Sequence, residues 1–198
     1  MAEIKAALVK QLREKSGAGM MDCKSALVET EGDIEKAMEV LRKKGIAKAA
    51  KRSERLANEG KIEAYIHPGS KLGVLVEVNC ETDFVANTDD FKSFSRDISM
   101  QIAASSPRYI RREDVDQGVI DNELEIYKEQ ARGQGKPENI LDKIATGKLE
   151  KFFAEICLLE QPFIKDPDKT VHSLLQETIG KLGENVSIRR FTRFKIGE

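Results

Sequence analysis

Few residues in this chain have the types and spacing that chemistry requires. His67 stands beside Pro68 in a turn and His172 opens a helical pattern. Neither has a cysteine, serine or acid at a spacing that assembles nucleophile, base and orienter, so no catalytic or metal-binding histidine is expected. Gly17-Ala18-Gly19 has two glycines of a dinucleotide loop, but it follows a helical stripe rather than a strand and lacks the third glycine. No Gly-x-x-x-x-Gly-Lys-Ser/Thr stretch occurs, so the chain is not expected to hold a nucleoside triphosphate itself. Asp89-Asp90 could bind a cation, yet two acids in the first turn of a helix are accounted for more simply by the positive end of its dipole. The sequence therefore predicts no catalytic residue, no metal site and no cofactor.

Two segments are less easily explained by packing. Gly17-Ala18-Gly19-Met20-Met21-Asp22 places two flexible thioethers side by side between helices. Adjacent positions cannot both face a small core, so one Met should be partly exposed, as on protein-binding surfaces; loose core filling is the equal alternative. In Cys80-Glu81-Thr82-Asp83-Phe84-Val85-Ala86-Asn87, Phe84 either tucks under the following helix or projects as an apolar knob beside a carboxylate. The residues alone favour the tucked arrangement. A third segment, Arg42–Arg55, has seven positive residues (Arg42, Lys43, Lys44, Lys48, Lys51, Arg52, Arg55) against Glu54. It could meet RNA phosphates, but no aromatic is interleaved for base stacking, and a solvated helical linker is the favoured reading.

The elements that must position these residues follow from periodicity. Ile4, Ala7, Leu8 and Leu12 form one helical face ending near Ser16-Gly17, and Met20, Cys23 and Leu27 a second stripe ending near Glu31-Gly32. Asp33 caps a third helix, with Ile34, Ala37, Met38 and Leu41, that Gly45 should end. Each is too short to persist alone, so a three-helix module over residues 1–45 is expected, then a basic linker over 46–60. Lys61–Ile66 and Leu72–Asn79 read as a hairpin around His67-Pro68-Gly69-Ser70. Thr88 caps a helix with Phe91, Phe94, Ile98 and Ile102 inward, stopped at Ser106-Pro107. Helices over Gly118–Arg132, Pro137–Leu159 (interrupted near Gly147) and Val171–Leu182, the last capped by Thr170, come next. The closing run has period two, with Val186, Ile188, Phe194 and Ile196 on one face and Ser187, Arg189, Arg193 and Lys195 on the other. It should join the hairpin in a three-stranded antiparallel sheet backed by helices, making residues 61–198 an α+β core.

Composition sets limits on partners. The 198 residues carry 33 basic and 34 acidic side chains, a net charge of -1, so no global field draws the chain to nucleic acid or to a membrane. No apolar run approaches the roughly 20 residues that span a bilayer, and Met1-Ala2-Glu3-Ile4-Lys5 has no apolar leader. Cys23, Cys80 and Cys157 are odd in number and far apart, which suits a reducing cytoplasm.

Leu12-Arg13-Glu14-Lys15-Ser16-Gly17-Ala18-Gly19-Met20-Met21-Asp22-Cys23-Lys24 and Gly32-Asp33-Ile34-Glu35-Lys36-Ala37 closely resemble the opening of the elongation factor Ts family. Val78-Asn79-Cys80-Glu81-Thr82-Asp83-Phe84-Val85-Ala86 is similar to its central signature, and Ile102-Ala103-Ala104-Ser105, Gln161-Pro162-Phe163 and Arg193-Phe194 extend the resemblance along the chain. It implies a ubiquitin-associated-like helical module and a non-enzymatic guanine-nucleotide exchange factor for elongation factor Tu. Thr82, Asp83, Phe84 and Val85 would enter the GTPase domain of that partner and disturb its magnesium site. Arg13, Met20 and Met21 would dock on the same domain, and the knob reading of Phe84 then displaces the tucked one. Longer members carry a duplicated core half and an inserted helical hairpin, neither of which is found in this sequence, so a homodimer is expected to restore the missing half. Two other classes remain as alternatives: a ubiquitin-associated-type adaptor for some other protein, and an RNA-binding translation protein using Arg42–Arg55.

Overall fold

The computed structural model describes residues 4–52 and 55–198, except for the side chains at 46, 48 and 50. The opening Met1-Ala2-Glu3, Glu54 and the Lys48 side chain therefore lie outside the described residues. By contact density the chain forms two units. One comprises the described part of Met1–Ile62 with Glu77–Ser95 and Ser173–Ile188; the other comprises Glu63–Val76, Arg96–His172 and Arg189–Glu198.

The N-terminal helices are α1 (Ala6–Ser16), α2 (Met20–Glu29) and α3 (Ile34–Arg52). They share one core of Val9, Leu12, Cys23, Ala26, Leu27, Ala37 and Leu41. Each wholly buried leucine in it is worth about 1.5–3 kcal/mol. The first stripe is rotated from the expected one: Ala7 is exposed and Val9 is buried, because valine has more apolar surface to remove from water than alanine. Gly17 ends α1 in the left-handed region, at φ 65°, and donates its N–H to Arg13 O at 2.8 Å. Asp33 caps as expected, its Oδ1 accepting from Lys36 N–H at 3.0 Å. Gly45, in contrast, does not end the third helix, which continues to Arg52. A glycine inside a helix costs only about 1 kcal/mol, and the flanking Lys, Arg and Ala residues are strong helix formers. A Cβ at Gly45 would meet nothing within 4 Å, so no packing contact requires the glycine there.

Strands β1 (Glu59–Ile66) and β2 (Leu72–Cys80) form the expected hairpin, and β5 (Val186–Lys195) adds to β2, giving the antiparallel order β1-β2-β5. Gly60 is required in β1: its φ is 144°, and a Cβ there would collide with Val78 O. On β2, Val74, Val76, Val78 and Cys80 are buried, while Leu75 points outward. The other side of the sheet stays uncovered, with Ile62, Ile66, Phe194 and Ile196 exposed. Phe194 and Ile196 thus do not continue the burial of Val186 and Ile188, although strict period two placed all four together.

Between β2 and the long helix α5 (Asp89–Ser105) the chain makes a single helical turn, α4 (Asp83–Ala86), where the sequence suggested only a connection. Phe91, Phe94, Ile98 and Ile102 of α5 are buried as expected. Helices α6 (Gln117–Gly133) and α7 (Glu138–Ile156), expected over Gly118–Arg132 and Pro137–Leu159, are joined by four residues and pack against each other. Its core is Val115, Leu149, Phe153, Ile156 and Cys157, with Val119, Ile120 and Leu124 against it. Helix α7 is not interrupted at Gly147, because Leu141, Ala145, Leu149 and Phe153 keep one buried face across the glycine. Also unanticipated are β3 (Pro162–Phe163) and β4 (Asp166–Thr170), a small antiparallel pair before α8 (Val171–Leu182). Among the described residues no helix is long and apolar enough to cross a membrane.

Candidate functional site

Helix α4 is built to present one ring. Thr82 caps it, its hydroxyl oxygen accepting from Val85 N–H at 3.3 Å. The Cys80 thiol donates to Thr82 O at 3.1 Å, and Thr88 Oγ1 donates to Val85 O at 2.7 Å. Asn87 closes the turn by donating its side-chain amide to Asp83 O at 3.0 Å. Val85 and Ala86 are buried, so the turn is anchored from below, and Phe84 points away with 79% of its surface exposed. Of the four residues assigned to this segment, Asp83 and Phe84 offer free side chains to a partner. Thr82 is engaged in capping, and Val85 faces inward.

The cap is extended by residues far along the chain. Glu184 accepts from Thr82 twice, from its N–H at 3.0 Å through Oε2 and from its hydroxyl at 2.7 Å through Oε1. In return, Glu81 Oε1 accepts from Asn185 N–H at 2.6 Å and pairs with Arg55 at 3.5 Å. Asn185 Nδ2 also donates to Arg55 O at 2.7 Å. Residues 81–82, 184–185 and 55 are thus laced together.

The second candidate region is the turn from α1 to α2. Met20 and Met21 occupy the first turn of α2 with 58% and 76% of their surfaces exposed, and Arg13 is exposed in the last turn of α1. Neither Met is core filler; Cys23, Ala26 and Leu27 take that part. Gly17, at the head of the turn, abuts the Lys181 stem: a Cβ there would lie 3.2 Å from Lys181 Cε. Lys181 pairs with Asp90 at 2.7 Å. The end of α8 therefore reaches the thioether turn through Lys181 and the α4 turn through Glu184.

Several other titratable groups are engaged structurally. His67 Nδ1 lies 2.9 Å from the Tyr65 hydroxyl, and Arg96 stacks on the Tyr65 ring at 4.8 Å. Asp89 pairs with Lys92 at 3.9 Å, and with Asp90 held by Lys181 the two acids are matched by lysines. All three cysteines are buried and free. Burial pushes the Cys157 thiol up to about 11 and raises that of Cys80, opposite to what a nucleophilic thiolate needs. Among the described residues no three His, Cys, Asp or Glu side chains gather as a metal site.

Sequence reasoning missed Lys181, Glu81, Glu184 and Asn185. Thr82 and Glu184 are separated by 102 positions, and no local periodicity or motif connects them.

Comparison with known proteins gives one consistent result. The family model described as Elongation factor TS matches residues 3–198. Elongation factor Ts of Carboxydothermus hydrogenoformans is 64% identical over 191 residues, covering 96% of this chain and 88% of the relative. Elongation factor Ts of Thermoanaerobacter sp. (strain X514) is 63% identical over 195 residues, covering 98% and 96%. That of Heliobacterium modesticaldum is 58% identical over 195 residues, covering 98% and 91%. With both signature segments on exposed turns and this similarity along nearly its whole length, the chain belongs to the elongation factor Ts family.

Proposed function

We propose that the protein is a guanine-nucleotide exchange factor that binds elongation factor Tu carrying GDP and speeds GDP release during translation elongation in the cytoplasm. The observation that carries this reading is Phe84, an aromatic ring left exposed on a turn whose backbone is fixed at both ends. Such a ring loses little loop entropy on docking. Burying it in the GTPase domain is worth about 1.5–3 kcal/mol, enough to stabilise a displaced partner element that is otherwise disfavoured. Much of the hold on GDP is electrostatics between phosphate and magnesium, and disturbing the ion weakens it. GDP and the factor then couple negatively, each lowering the affinity of the other by the same factor. No covalent step is involved, so the protein acts as a binding catalyst of exchange and not as an enzyme.

Arg13, Met20 and Met21 form the docking region in this reading, a polar guide beside two soft anchors. The exposed side of the three-stranded sheet, with Ile66, Leu75 and Phe194, is the surface for a homodimer. A self-complementary pair of such faces covers apolar area that a lone sheet leaves in water. Two measurements test these assignments. Adding the protein to elongation factor Tu loaded with fluorescent GDP should accelerate release, and an unchanged release rate overturns the proposal. Light scattering at micromolar concentration should give the mass of a dimer, and a monomer mass rejects that part alone.

A further inference from the structure

We propose that Glu184 is a positioning residue for the exchange segment, fixing the direction in which α4 presents Phe84. The inference rests on the exchange role proposed above for that segment. Helix α4 has four residues, far below the length at which a helix persists unaided, so its orientation must be imposed from outside. Val85 and Ala86 anchor it from below, and most of its polar bonds are local, within residues 80–88: Cys80 to Thr82 O, Asn87 to Asp83 O, Thr88 to Val85 O. Glu184 is different, because it arrives from the end of α8. One carboxylate oxygen takes the Thr82 N–H at 3.0 Å and the other takes its hydroxyl at 2.7 Å.

This two-point contact fixes rotation as well as position. The Thr82 hydroxyl is simultaneously the acceptor for Val85 N–H, so a continuous line runs from the backbone behind Phe84, through the cap, to the carboxylate. Hydrogen bonds to an ionised acceptor are roughly twice as strong as neutral ones, which suits a brace that must hold against a docking load. Phe84 itself has too little packing to set its own direction. Glu81 makes the reciprocal bond to Asn185 N–H and so holds the strand end, leaving Glu184 to hold the helix start. A half-exposed carboxylate contributes little to global stability, whereas a loosened support lets a site drift by an ångström and lose its function.

The full chain and elongation factor Tu loaded with fluorescent GDP provide the test. Glu184→Ala should lower the limiting release rate about tenfold, with the half-saturating concentration moving less than about twofold. Glu184→Gln, which keeps an acceptor but loses the charge, should fall between, about threefold slow. A general loss of structure would instead lower Tm and raise the half-saturating concentration together. Adding Glu184→Ala to Phe84→Ala should cost less than about a further twofold, because the carboxylate acts through the ring. A wild-type limiting rate in Glu184→Ala beside a slow Phe84→Ala overturns the positioning role and leaves the exchange reading intact. A full additional tenfold loss in the double variant also overturns it. An unimpaired Phe84→Ala refutes the exchange reading, and the positioning role falls with it. If Glu184→Ala does not fold, Glu184→Gln decides: a wild-type limiting rate there is the overturning result.

Discussion

Met20 and Met21 stand in the first turn of a ten-residue helix, whereas Phe84 stands on a helix of four residues. Both regions expose large apolar side chains, but they are supported differently. Helix α2 carries its own apolar anchor, with Cys23, Ala26 and Leu27 buried one to two turns on. Helix α4 buries only Val85 and Ala86 and adds polar bonds at its cap, two of them to Glu184 just beyond α8. The side chains differ in the same sense: a thioether has three soft torsions and adapts to what it meets, and a ring has two and keeps its shape. Local apolar support with adaptable side chains suits affinity. Polar bracing of a rigid ring suits displacing something in a partner. The two regions should therefore fail differently when changed.

The largest effect is expected at the ring. Phe84→Ala should slow GDP release from elongation factor Tu about ten- to a hundredfold, the equivalent of the burial free energy of the ring. Its Tm should move by less than about 2 °C, since an exposed side chain contributes little to its own fold. Calorimetry on the free protein beside the release assay separates the two outcomes. A large fall in Tm would place the ring in the core, and a wild-type rate would erase the distinction between the regions.

An intermediate effect is expected at the thioethers. Met20→Ala with Met21→Ala should raise the half-saturating concentration about tenfold while the limiting rate stays within about twofold. A drop in limiting rate at saturation would mean that α2 takes part in exchange and that the assignment of affinity to it is wrong. The smallest change sharpens the comparison within α4. Asp83→Ala should slow release only about two- to fivefold, because the carboxylate is exposed and its backbone carbonyl, held by Asn87, is kept. If Asp83→Ala proved more damaging than Phe84→Ala, charge rather than shape would be the working principle of the segment.

Much of this was legible in the residues. The capping of α3 by Asp33, the inward stripe of α5, the hairpin and the bounds of α8 all follow from short-range periodicity and turn chemistry. The places where expectation failed share a cause. Gly45 and Gly147 look like helix ends by their intrinsic preference, but packing of the neighbouring face outweighs a cost of about 1 kcal/mol. Phe84 was ambiguous for the same reason: whether a ring beside a valine is the buried one depends on which side of the turn meets the core.

The sequence by itself determined which residues are apolar, where helices begin and where strands alternate, because those depend on neighbours within about four positions. It also placed Arg13, Met20, Met21 and Thr82–Val85 in two short, recognisable segments. Tertiary structure alone decided that Val85 turns inward while Phe84 turns out, and that Glu184 reaches back across 102 positions to the Thr82 cap. A hydrogen bond between distant residues leaves no period or spacing in the chain, since its geometry exists only once the elements carrying both partners have packed.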